Sequence, residues 1–161
     1  MKVFIKNSLI SLGGSSEVFD EENKPIFIIK GKVFSPTKKK KMCDANGNLL
    51  YTIRNKYWTM FYNKIFVIDP EGNRVATIKK GKWSLNRKYK IEDCVDSMEI
   101  QGKFFSRTSN ILRNGEVAGV ITREITLVRD AFSLDADEKD IPFLTALVIA
   151  LDNLGDKIRE E

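Results

Sequence analysis

The chain has 161 residues, 42% of them apolar and 30% charged, with a formal net charge of +5. That is the size and composition of one globular domain, residues 1–161, able to bury a core without disulfides or metal. It contains no histidine, which removes Ser-His-Asp and Cys-His nucleophiles, imidazole proton shuttles and nearly every common zinc site.

Two cysteines, Cys43 and Cys94, are too few for a disulfide framework and read as thiols of a reducing compartment. A single bridge between them is the alternative. The N-terminus lacks the apolar stretch of a signal peptide, and no apolar run reaches the roughly 18 residues of a membrane span. A cytoplasmic chain without a transmembrane segment is expected. Residues 1–90 hold 19 Lys+Arg against 7 Asp+Glu, a balance of +12, whereas residues 91–161 hold 8 against 15, a balance of −7. Such asymmetry marks either a basic face for anionic partners or two halves that attract each other within one fold.

Along the chain a hairpin repeat appears. The turns Asp20 to Asn23, Asp44 to Gly47 and Asp69 to Gly72 each open with Asp and close with Gly or Asn, and Asn114-Gly115 forms a fourth turn. Asp accepts from backbone amides at the turn's start, Gly or Asn supplies the positive φ at its end, and Pro70 fits a first central position. An isoleucine stands six positions after the closing Gly or Asn: Ile29, Ile53, Ile78 and Ile121. A basic residue follows the first three, namely Lys30, Arg54 and Lys79. Short apolar segments precede the turns at Val18-Phe19, Met42-Cys43, Phe66 to Ile68 and Ile111-Leu112, so each unit is a β-hairpin. The longer gap before the last turn leaves room for a degenerate hairpin between Trp83 and Phe105. Phe34, Trp58, Phe61, Tyr62, Trp83, Tyr89, Phe104 and Phe105 add strand-favouring aromatics.

A final strand is predicted at Val120 to Val128, where Ile121, Ile125 and Leu127 alternate with polar residues. Ten or more short strands without helical punctuation predict a mostly β, closed antiparallel barrel over residues 1–130. Period 2 then stops, and Asp135 to Asp140 reads as a turn and cap. Asp140 is the expected N-cap and Gly155 the expected C′ residue of a core helix over 140–155. The run Ile141 to Leu154 is apolar on every face and too short to span a bilayer, so it is read as a helix buried inside the barrel. Thr145, its one hydroxyl, is expected to bond back to the carbonyl of Ile141.

The Asp-x-x-Gly hairpins, the segment Lys30-Gly-Lys-Val-Phe-Ser35 and the apolar run ending in Leu151-Asp152-Asn153 resemble the LURP-one-related proteins. These are similar to the tubby C-terminal and phospholipid scramblase superfamily. The resemblance implies twelve antiparallel strands around the C-terminal helix, and lipid-headgroup binding in tubby-like members. The cysteine-rich and calcium-binding features of scramblases are missing, as is the membrane anchor.

Several clusters carry chemistry. Lys38, Lys39, Lys40 and Lys41 suit a loop meeting anionic lipid, or else a solubilising strand edge. Lys79, Lys80 and Lys82 with Trp83, then Arg87 and Lys88 with Tyr89, combine basic and aromatic side chains for phosphate contact. No nucleic-acid module is present, which puts nucleic acid below an anionic membrane surface or an acidic protein as partner. Asp135, Asp137 and Asp140 have oxygen ligands for a hard cation but lack the glycine and terminal Glu of an EF-hand, and the helix dipole explains them. Glu92 with Asp93, and Asp96 with Glu99, are the carboxylate pairs available for acid/base work, with nothing to place them in a cleft. No phosphate-binding glycine loop occurs. The expectation is a non-catalytic module without metal or cofactor that binds anionic phospholipid or phosphorylated headgroups peripherally. The alternative is a protein-interaction barrel.

Overall fold

The structure is a computed structural model and describes residues 1–6, 16–31, 35–57, 64–79, 88–102, 107–125 and 130–159. Twelve strands form in chain order: β1 (Lys2–Lys6), β2 (Ser16–Phe19), β3 (Pro25–Gly31), β4 (Lys40–Asp44), β5 (Leu49–Asn55) and β6 (Lys64–Ile68). The second half contributes β7 (Arg74–Lys79), β8 (Lys88–Glu92), β9 (Met98–Gln101), β10 (Thr108–Arg113), β11 (Glu116–Ile125) and β12 (Asp130–Ala136). A 3-10 turn, Glu138–Asp140, leads into the helix α1, Ile141–Arg159. Each strand pairs with its sequence neighbour, and β12 closes the barrel on β1, pairing Val3 with Leu134 and Ile5 with Phe132.

The repeat has a structural signature. All four repeat hairpins shift register just before their turn, at Val18/Phe19, Met42/Cys43, Val67/Ile68 and Ile111/Leu112. Bulges sharpen twist and bend a strand, which closing a sheet requires. The degenerate hairpin β8–β9 pairs without such a shift. In the turns, Asp44 Oδ1 accepts from the amides of Asn46 and Asn48 at 2.9 and 2.8 Å, and Asp69 Oδ1 accepts from the amide of Asn73 at 2.7 Å. The amide side chains of Asn48 and Asn73 bond the second oxygen, and these bonds hold both carboxyls below the usual carboxylate range. Gly47 and Gly72 take φ of 88° and 92°, where any Cβ would strain.

Period 2 sorts the strands. The repeat isoleucines Ile29, Ile53, Ile78 and Ile121 point inward and are buried. The helix fills the interior they line: Leu144 through Leu151 are buried without a break, and α1 packs on β5, β6, β7 and β12. Gly119 lets it approach β11, since a Cβ there would lie 3.0 Å from Leu144 Cδ1.

Three expectations need correction. The last strand is β12, beyond Val128, because Phe132 and Leu134 face inward while Ala131 and Ser133 alternate with them. Asp140 precedes α1 as the last residue of the 3-10 turn, and its carboxylate is held by Arg113 at 2.9 and 3.0 Å. The helix does not stop at Gly155 but runs to Arg159. Thr145 Oγ1 has no hydrogen-bond partner among the described residues. Phe34, Trp58, Phe61, Tyr62, Trp83, Phe104 and Phe105 lie outside the described residues, as does Val128.

The plug predicts its own test. Leu147 is fully buried. Leu147→Ala should cost about 2–5 kcal/mol in urea denaturation, and Leu147→Lys should abolish the cooperative transition. A soluble, cooperatively melting Leu147→Lys protein would show that the helix is not packed inside the strands.

Candidate functional site

In an antiparallel barrel of sequential neighbours, alternate connections emerge at opposite ends. The turns after β2, β4, β6, β8 and β10, together with the start of α1, share one end. The last residues of β1, β3, β5, β7, β9 and β11 lie toward the other. The helix spans the two: its start follows β12, and near its far end Asn153 Nδ2 donates to the Lys38 carbonyl at 3.4 Å.

This wiring separates charge. Turns at the first end carry Asp20, Asp44, Asp69, Asp93, Asp96 and Asp137, several with further acids beside them. In sequence, none of the six connections at the second end contains an Asp or Glu, while they contribute Lys38, Lys39, Lys56 and Arg107 among the described residues. The helix macrodipole agrees, with its positive end toward the carboxylates and its negative end toward the lysines.

The predicted basic residues are placed as follows. Lys38 takes a left-handed φ of 45°, and its amide donates to the Ser35 carbonyl at 2.9 Å. Lys39 is exposed, with its amide bonded to Ser35 Oγ at 3.1 Å. Lys40 faces inward, and its Nζ lies 3.9 Å from Asp152 of α1. Lys41 faces outward and is exposed, directly opposite Lys30 of β3. The run Lys38 to Lys41 is therefore divided between the rim, the barrel mouth and the outer wall. Lys79 ends β7 and bonds Glu92 at 2.6 Å. Lys88 opens β8, but its side chain lies outside the described residues, as do Lys80, Lys82 and Arg87 entirely.

The structure adds residues not singled out above as a cluster. Lys30 and Lys41 are paired across β3 and β4, Arg54 covers the outward ring of Phe66 at 5.4 Å, and Lys64 stands opposite Lys79 across β6 and β7. The Lys56 amide bonds the Lys64 carbonyl at 2.8 Å, which brings Lys56 to the same edge. The result is a basic band on the outer wall of five adjacent strands. Among the described residues no carboxylate pairs with Lys30, Lys41, Lys56 or Lys64. The signal was in the repeat: Lys30, Arg54 and Lys79 each follow an inward isoleucine, and period 2 turns them outward at equivalent heights.

The carboxylate pairs have structural partners. Glu92 meets Lys79, Asp93 accepts from the Thr77 hydroxyl at 2.5 Å, and Glu99 accepts from Gln101 at 2.7 Å. Asp96 lies 3.6 Å from Arg113 Nε, and Asp135 lies 3.7 Å from the terminal amine. Both cysteines are free thiols; burial, reinforced by Asp93 and Asp96, pushes Cys94 up to about 11. It is thus a protonated, unreactive thiol at neutral pH.

Arg113 also fixes the acidic end, tying β10 to the approach to α1. Its guanidinium holds the Asp140 carboxyl below the usual range. A lowered folded value contributes stability above the unfolded pKa of about 3.9, and that contribution is lost as pH falls through the folded value. Arg113→Met should therefore cost about 1–3 kcal/mol at neutral pH, and its deficit against wild type should shrink below about pH 4. Urea titrations across pH check this; a deficit unchanged down to acid pH would contradict it.

The comparisons agree with this architecture. Residues 1–152 match the family model described as LURP-one-related. The chain is 22% identical over 153 residues to the uncharacterized protein YxjI of Bacillus subtilis (strain 168), covering 94% of this chain and 92% of that one. Its fold matches an X-ray structure of a protein from Arabidopsis thaliana, AT5G01750, with a TM-score of 0.64 at 16% identity, over 96% of this chain and 91% of that one. Among the described residues no helix is long and apolar enough to cross a membrane. On the extent of the family match, the chain belongs to the LURP-one-related family.

Proposed function

We propose that this chain is a non-catalytic binding module that meets anionic phospholipid or phosphorylated headgroups with the basic end of its barrel. One observation carries the reading: the antiparallel wiring gathers Lys30, Lys39, Lys41, Lys56 and Lys64 toward an end whose connections contain no carboxylate. Each basic residue near an anionic lipid surface is worth on the order of 1 kcal/mol, so a handful of modest contacts gives usable affinity without a pocket. Among the described residues α1 fills the barrel interior, which favours contact through the outer surface. The non-catalytic reading is supported by the carboxylates at hand, which are held by Lys79, Thr77, Arg113 and Gln101, and by a Cys94 thiol that burial keeps protonated. Peripheral attachment in a reducing compartment fits the two free thiols.

Flotation with phosphatidylcholine vesicles, with and without phosphatidylserine, tests the reading. Binding should require the anionic lipid and weaken steeply with salt. The double variant Lys30→Ala/Lys41→Ala should lose about 2 kcal/mol, roughly thirtyfold in affinity. Equal binding to neutral vesicles, or none to anionic vesicles at low salt, would refute the proposal.

A further inference from the structure

The carboxylate-rich end is unused by the reading above, and it is chemically matched to the basic end. It presents Val95, fully exposed, in the β8–β9 turn and Val117, 59% exposed, at the start of β11, on adjacent hairpins that Asn114 joins through its bonds to Ser97. Asp93, Asp96 and Glu116 neighbour these two residues in sequence, with Asp93 3.9 Å from Arg74 and Asp96 3.6 Å from Arg113. The same end has a shallow, open depression lined by Asp137, Glu138 and Lys139. The opposite end presents Tyr57, 61% exposed, next to Lys56 in sequence, and the Asn55 amide on the Thr37 carbonyl brings this segment to the one that carries Lys39. The first end thus carries more carboxylates than the cations Lys24, Arg74, Arg113 and Lys139 balance, the opposite end carries lysines, and each adds exposed apolar surface.

We infer that copies of this chain associate head to tail, the basic end of one barrel on the acidic turns of the next. The occupant follows from complementarity on both counts: lysines meet carboxylates, and Tyr57 meets the Val95–Val117 pair. A net charge of +5 opposes association in orientations that do not oppose the two ends, so the charge pattern selects this one. Such an interface is heterologous. It leaves a free end of each kind, so assemblies grow as open rows rather than closing as dimers. Anionic vesicles and a second copy would compete for the same end.

Sedimentation without lipid tests the inference separately from vesicle binding. At about 0.01 M salt, where the Debye length is about 30 Å, weight-average mass should at least double as concentration rises, and it should return to the monomer value near 1 M salt, where the length is about 3 Å. Two exposed-site variants give the decisive comparison. Val95→Lys/Glu116→Lys blocks the acidic end and Lys39→Glu/Lys56→Glu blocks the basic end. Each alone should remain monomeric, while their equimolar mixture should form a dimer and nothing larger, because one intact end of each kind remains. Should either variant lose its cooperative melt, Glu71→Lys/Glu138→Lys and Lys41→Glu/Lys64→Glu replace them on the same two ends. A wild-type chain monomeric at low salt overturns the inference, and so does a mixture that stays monomeric or a variant that still self-associates alone.

Discussion

A closed sheet must fill what it encloses, and the rest of this structure depends on how α1 does so. Twelve short strands curl completely, leaving no exposed edge but an interior too wide for strand side chains alone. A helix apolar on all faces is otherwise a liability in water; inside the barrel, its Leu144, Leu147, Val148 and Leu151 meet the inward isoleucines of the strands. The interior is thereby committed to the fold.

The same wiring organises the electrostatics. Sequential antiparallel pairing assigns every second connection to one end, so composition at alternating positions becomes a charge separation in space. The basic first half and acidic second half of the chain describe this poorly. Asp20, Asp44 and Asp69 belong to the basic half of the sequence yet stand at the acidic end of the molecule. Arg113 is a basic residue inside that acidic end, and it holds Asp140 and neighbours Asp96 to keep the helix entrance against the barrel.

Much of this was legible in the residues. The Asp-to-Gly turns, the isoleucines six positions later and the apolar run after Ile141 identified the hairpins, their inward faces and the plug, because each rests on local periodicity. The misreadings came from tertiary context overriding local signals. Asp140 stands where a cap would, and a guanidinium 27 residues earlier in the chain holds its carboxylate. Gly155 looks like a stop, yet the helix continues through it. β12 was hidden because its period-2 pattern is short and bounded by acids. The basic site was half legible: the run Lys38 to Lys41 draws attention by density, but strand alternation splits it. The subtler repeat of one basic residue after each inward isoleucine marks positions that share the outer wall.

On the proposed function, one end of the barrel and not the other meets anionic surfaces. Hydrogen–deuterium exchange with and without phosphatidylserine vesicles tests it most directly, since exchange reports protection segment by segment. New protection is expected over residues 35–41 and 55–57, with the Asp20, Asp44 and Asp69 turns unchanged. Protection centred on those Asp turns, or spread evenly over both ends, would contradict it.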